Sequence, residues 1–287
     1  MNNYWKTTPF PTLEITTSIP PKGCVVDCVF CPQRLLVKSY KGNKTLSLDD
    51  FKTIVDKLPI EVRIAFSGFT EPWLNQSCTD MVLYAYERGH RVSAFTTGIG
   101  MKIEDLERLR HINWDNGPNG GFVFHLPDEE YYAKHPITPR YIQLVEYFHT
   151  VYPNMKNTYI MAMGTVHKSV AHVFPTAHSG QMYSRAGNLM HESILKPELL
   201  NLKDHYKTVY NGEGNFTCNC DERLYHNVMI PNGDVSLCCM DYGLEYILGN
   251  LFEQDYDEIM PKPLACFDLC KFCENGIKPS KLGGVDN

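Results

Sequence analysis

The sequence predicts an α/β protein in which repeated strand and helix units build a parallel sheet or barrel, followed by a smaller C-terminal segment of different texture. Three observations lead there. From roughly residue 10 to 205, short β-like runs alternate with helix-like runs. Ten of the eleven cysteines fall into two blocks, 24–31 and 218–273. Asn211-Gly212-Glu213-Gly214 then introduces a hairpin-like stretch, Asn227 to Val235, that has turn chemistry but no crossover helix.

In chain order, Leu13 to Thr17 alternates in strand fashion and is followed by the first cysteine block. Leu48, Phe51, Ile54, Val55 and Leu58 recur at helical spacing behind Ser47, with Asp50 completing a capping-box-like start. Val62 to Phe66 is the next strand, Thr79 to Arg88 a helix stopped by Gly89, and Val92 to Thr96 a third strand. Helix-like Ile103 to Leu109, a Gly/Asn-rich loop from Asn113 to Gly121, strand-like Phe122 to Phe124, helix-like Tyr141 to Val151 and strand-like Thr158 to Met163 continue the pattern. A sixth strand is expected within Gln181 to Ser184, and a domain boundary near 205–215, giving units of 1–210 and 211–277 with a loose tail from Lys278. In such an array functional groups gather at the C-terminal ends of the strands.

At 287 residues the chain is long enough for about two domains of roughly 150 and for a large core without disulfide staples. Apolar residues at 43% and charged residues at 21% exclude disorder and fibrous repeats. A net charge of -6 supplies no chain-wide attraction to a nucleic-acid backbone or an anionic membrane. The start of the chain lacks the apolar core of a signal peptide, no run approaches the ~20 apolar residues of a membrane span, and the expected location is cytoplasmic. Eleven cysteines in a compartment where disulfides are rare point to metal or redox chemistry.

Cys24, Cys28 and Cys31 are spaced C-x3-C-x2-C directly after the first strand, on a loop at the mouth of the sheet. Three thiolates are one short of closing a tetrahedral or four-iron site and leave one metal position open; a zinc site borrowing a fourth ligand is the alternative. This motif in this place resembles the signature of the radical SAM superfamily, whose fold is a partial (β/α)6 barrel. The resemblance covers roughly residues 10 to 205. It implies a [4Fe-4S] cluster on the three cysteines, with S-adenosylmethionine (SAM) on the open iron. Reductive cleavage then gives a 5′-deoxyadenosyl radical that abstracts hydrogen from substrate. Ser67-Gly68-Phe69-Thr70-Glu71-Pro72 is similar to the family's Gly-Gly-Glu-Pro motif, which implies Gly68 and Glu71 at the SAM amino group. Thr96-Thr97-Gly98 resembles a ribose-proximal segment. Arg185 is a candidate partner for the SAM carboxylate, because guanidinium matches carboxylate bidentately. His125 and Asp128, just past the fourth strand, are candidates to orient a substrate hydroxyl.

In the second block Cys220, Cys238, Cys270 and Cys273 form a C-x17-C and C-x2-C set, and Asn232-Gly233-Asp234 supplies a turn between the first pair. Four thiolates can close a cluster or a zinc ribbon. Cys218, Cys239 and Cys266 remain as alternates or extras. The region, with Gly233 to Cys238 and Gly249-Asn250-Leu251, looks like the SPASM/twitch extension of radical SAM enzymes, a small β-hairpin plus helix domain. That resemblance implies one auxiliary [4Fe-4S] cluster, with two as the alternative.

The chain enters its first strand almost at once, leaving no room for an N-terminal peptide-recognition domain, and a small polar substrate of aminocyclitol, sugar or nucleoside type is expected. The resemblance further implies a flavodoxin- or ferredoxin-type electron donor. An auxiliary cluster that accepts an electron makes the reaction a dehydrogenation; a thiol returning hydrogen, with Cys78 and Cys239 as candidates, makes it an epimerisation. Peptide modification and a non-catalytic iron-sulfur or zinc module are the remaining readings.

Overall fold

Period-two patterning places the site. In the computed structural model, which describes residues 11–180, 183, 185–189, 226–259 and 268–273, six strands lie parallel. They are β1 (Thr12–Ile15), β2 (Arg63–Phe66), β3 (Val92–Thr96), β4 (Phe122–His125), β5 (Thr158–Ala162) and β6 (His178–Ser179), side by side in chain order. Leu13 and Ile15, Ile64 and Phe66, Val92 and Ala94, Phe122 and Phe124, and Ile160 and Ala162 all enter one hydrophobic core beneath the helices. Their neighbours Phe95, Val123, His125 and Met161 therefore turn to the opposite, concave face, where they line a cavity.

The helices are α1 (Gln33–Ser39), α2 (Leu48–Val55), α3 (Cys78–Glu87), α4 (Ile103–Leu109) and α5 (Pro139–Val151). Ser47 caps α2 by accepting a hydrogen bond from the Asp50 N–H, and Phe51, Ile54 and Val55 are its buried face. Thr138 caps α5, and Phe148 from that helix stacks on Phe124 with ring centroids 4.4 Å apart. Truncating Phe148 to Ala is expected to cost about 3–5 kcal/mol. At the far end of the sheet Arg63 pairs with buried Asp115 at 2.8 Å and donates to the Pro118 carbonyl, which ties the Asn113 to Gly121 loop under the strands.

The C-terminal hairpin extends this sheet. Strand β7 (His226–Met229) runs parallel to β1, with Thr12 opposite His226 and Ile15 opposite Met229, and β8 (Asp234–Ser236) and β9 (Ile247–Asn250) follow antiparallel. Among the described residues these nine strands form one sheet, with β6 and β9 at its ends. The short helix Tyr256–Ile259 packs its buried Tyr256 and Ile259 into the main core.

The sixth strand lies a few residues before the expected Gln181 to Ser184, because His178 and Ser179 pair with Met161 and Ala162. Residues 181, 182 and 184, the boundary expected near 205–215, the tail from Lys278, and Cys218, Cys220 and Cys266 lie outside the described residues. No helix among the described residues is long and apolar enough to cross a membrane.

Candidate cofactor and substrate site

The loop after β1 is built to present sulfur. Gly23 adopts φ +85°, and the next residue's N–H donates to Gln33 Oε1 at 2.9 Å. Gln33 is 3% exposed and donates onward from Nε2 to the Phe69 carbonyl at 2.7 Å, so α1 fastens the cysteine loop to the Ser67 to Pro72 loop. Gln33 carries no motif signal; only its place two residues after Cys31 marks it. Val26, Val29, Phe30, Ala133, Met163 and Leu189 pack around Cys28 and keep water from that side.

Cys24, Cys28 and Cys31 line a cavity of about 520 Å3, and among the described residues no other cysteine lines it. Burial pushes the Cys24 thiol up to about 12. The hydrogen bond to Cys31, then burial, push Cys28 well above its ordinary range. Thiols held neutral in this way ionise when a cation offsets their charge. Among the described residues no three Cys, His, Asp or Glu side chains stand at metal-bonding spacing; what fits an iron-sulfur cluster is the donor type, the grouping, the apolar surround and the open cavity in front of three sulfurs.

Beside the cysteines, Ser67 to Pro72 forms the next wall. Gly68 has φ +75°, and a Cβ there would stand 2.3 Å from Thr16 Oγ1. Its N–H donates to Glu14 Oε2, and Phe69 N–H to Thr16 Oγ1. Glu71 accepts from the Thr96 hydroxyl at 2.5 Å and from both the N–H and hydroxyl of Thr97 at 2.7 Å. Burial raises its carboxyl above the usual range while these donors oppose the shift. The carboxylate thus spans the tips of β2 and β3, bringing Gly68, Glu71, Thr96 and Thr97 to one rim.

The rest of the lining includes His125, Met161, Met163, Ser179, Arg185 and Tyr242. Burial, helped by His135, holds His125 down to about 3, and its buried Nε2 has no hydrogen-bond partner. Arg185 donates from Nε to the Phe30 carbonyl at 3.2 Å and lies over the Tyr242 ring.

Three expected site residues stand elsewhere. Asp128 does not line the cavity: its carboxylate accepts from the N–H groups of Tyr132 and Ala133 at 2.8 and 3.0 Å and closes the loop after β4. Cys78 has no exposure and packs in the core under the sheet, because it starts the buried face of α3. Cys239 does not line the cavity; it packs against the cluster that holds Tyr242 and the cluster that holds Met240 and Cys273. Cys238 shares that second cluster, where burial, then Cys239, push its thiol up. Cys273 belongs to the same cluster as Cys238, and its N–H donates to the Cys270 carbonyl at 3.3 Å.

Residues 218–275 match SPASM, an iron-sulfur cluster-binding domain. Among solved structures the chain is similar to BtrN in complex with AdoMet and 2-DOIA, at 18% identity and TM-score 0.56, covering 94% of each chain. It is similar to a histidine-tagged anSMEcpe with bound AdoMet at 13% identity and TM-score 0.53, over 93% of this chain and 86% of that one. It is also similar to Streptococcus suis SuiB bound to precursor peptide SuiA, at 17% identity and TM-score 0.54, over 96% and 73%. At these identities the likeness is one of fold. No curated protein sequence matches the chain.

Proposed function

We propose that the chain, which shares the fold of BtrN and anSMEcpe and matches the SPASM iron-sulfur domain over residues 218–275, is a radical SAM enzyme that cleaves SAM reductively and oxidises a small polar substrate by two electrons. In that reaction a substrate carbon would give one hydrogen atom to the 5′-deoxyadenosyl group, and a [4Fe-4S] cluster held by the C-terminal cysteines would accept the remaining electron while a proton leaves to solvent. A cluster on Cys24, Cys28 and Cys31 would supply the first electron to the sulfonium, drawn from a flavodoxin- or ferredoxin-type donor.

The carrying observation is that three cysteines, and no fourth among the described residues, line one cavity. The chain's own groups divide the remaining work. Glu71 holds Thr96 and Thr97 at the rim, where they would border the ribose, and Gly68 lets the backbone approach closely. Arg185, anchored beside Phe30, would take the SAM carboxylate. His125 lines the cavity with a ring that burial keeps neutral, and would face a substrate hydroxyl or amine there.

Oxidation is favoured over epimerisation because neither Cys78 nor Cys239 lines the cavity, so neither can return hydrogen to a substrate there. A volume of about 520 Å3 suits SAM and a small partner better than a long peptide. The BtrN complex holds 2-DOIA, which makes 2-DOIA a first compound to try beside the aminocyclitols expected from the sequence. Anaerobically reconstituted protein is expected to release 5′-deoxyadenosine from SAM with dithionite and, with its substrate, a product two hydrogens lighter. No release from fully iron-loaded protein would contradict the reading.

A further inference from the structure

A tyrosine of the C-terminal segment reaches the N-terminal cysteine loop. The Tyr242 hydroxyl lies 3.6 Å from Cys31 Sγ, across 211 positions of chain, and the residue is 2% exposed. Its ring is contacted by Phe69, with centroids 4.8 Å apart, and by the Arg185 guanidinium 5.8 Å from its centre. Its backbone is fixed in the turn that follows Cys238, where Asp241 N–H donates to the Cys238 carbonyl and Tyr242 N–H to the Met240 carbonyl, both at 3.0 Å.

A hydroxyl buried this deeply needs an acceptor, since burying it unpaired costs about 1–3 kcal/mol. The acceptor here is sulfur, which is weak as a thiol and strong as a metal-bound thiolate. We propose that Tyr242 is a positioning residue for the barrel site, donating a hydrogen bond to the Cys31 sulfur so that the C-terminal segment helps set the reduction potential of a cluster held by Cys24, Cys28 and Cys31. The proposal rests on the assignment of that cluster. A donor to a ligating sulfur withdraws charge from it and favours the reduced, more negative state, so it raises the potential. Because Tyr242 rides on the same turn as Cys238, the two iron-sulfur regions are mechanically joined through one side chain.

The test is an EPR-monitored redox titration of reconstituted protein, following the signal that SAM addition perturbs. Tyr242→Phe keeps the ring against Phe69 and Arg185 and removes only the hydroxyl; its barrel cluster is expected at a more negative potential than wild type. Fluorotyrosine placed at 242, a stronger donor of nearly the same shape, is expected to shift the potential the other way, and it serves if the Phe variant loads poorly. Unchanged potentials at full iron content would overturn the role of Tyr242 alone. A SAM-perturbed signal that survives replacement of Cys24, Cys28 and Cys31 by Ala would instead remove the assignment beneath it.

Discussion

Glu71 and Thr97 are joined twice, the N–H and the hydroxyl of Thr97 both donating to Glu71 Oε2 at 2.7 Å. With the Thr96 hydroxyl on Oε1, the carboxylate acts as a clamp between the ends of β2 and β3 at the cavity rim. Glu71→Gln turns an amide donor toward groups that are already donors. It is expected to lower stability by about 1–3 kcal/mol in urea unfolding and to weaken SAM binding measured by calorimetry. Equal stability and affinity would show that the clamp does not shape the rim.

Gly68 and Gly89 both have positive φ, but a Cβ would meet Thr16 Oγ1 at 2.3 Å at the first and only Ile60 Cδ1 at 3.5 Å at the second. Gly89→Ala is expected to cost about 1 kcal/mol of backbone strain. Gly68→Ala should cost clearly more and should also reduce SAM affinity. Similar unfolding midpoints for the two variants would rule out a close approach between β1 and the Gly68 turn.

His125 is held neutral to about pH 3, whereas the unfolded chain titrates near its ordinary 6.5. Between those values the unfolded state binds more protons, so this residue makes stability fall as pH falls through that window. His125→Gln is expected to reduce the loss of urea midpoint between pH 7 and pH 4.5, leaving the contribution of His135, also held low by burial. An identical loss in both proteins would mean that the ring is not kept neutral.

Asp128 spends its carboxylate on Tyr132 and Ala133. Asp128→Asn should cost about 1–2 kcal/mol while leaving the turnover of folded enzyme within about twofold. A loss of turnover at unchanged stability would return Asp128 to the chemistry.

Long amphipathic periods and strand alternation were legible: α4, β3 and β4 lie within a residue of expectation and α2 starts where its cap places it, since buried faces and caps are local. The cysteine loop was legible because its spacing is itself local. The pairing of β7 with β1 was not, because two strands more than two hundred residues apart carry no mark of each other. The same holds for Tyr242 meeting Cys31 and for Gln33 bridging two loops. Asp128 and Cys78 misled for one reason: a residue at the end of a strand or the start of a helix has a direction that sequence alone does not give, and both turn away from the cavity.

The central claim is that Cys24, Cys28 and Cys31 together hold the cluster that cleaves SAM. Iron content and 5′-deoxyadenosine release, measured side by side on anaerobically reconstituted wild type and the triple Cys→Ala variant, test it most directly. The variant is expected to lose about four irons and all release while keeping the iron of the C-terminal site. Release that persists in the triple variant would contradict it.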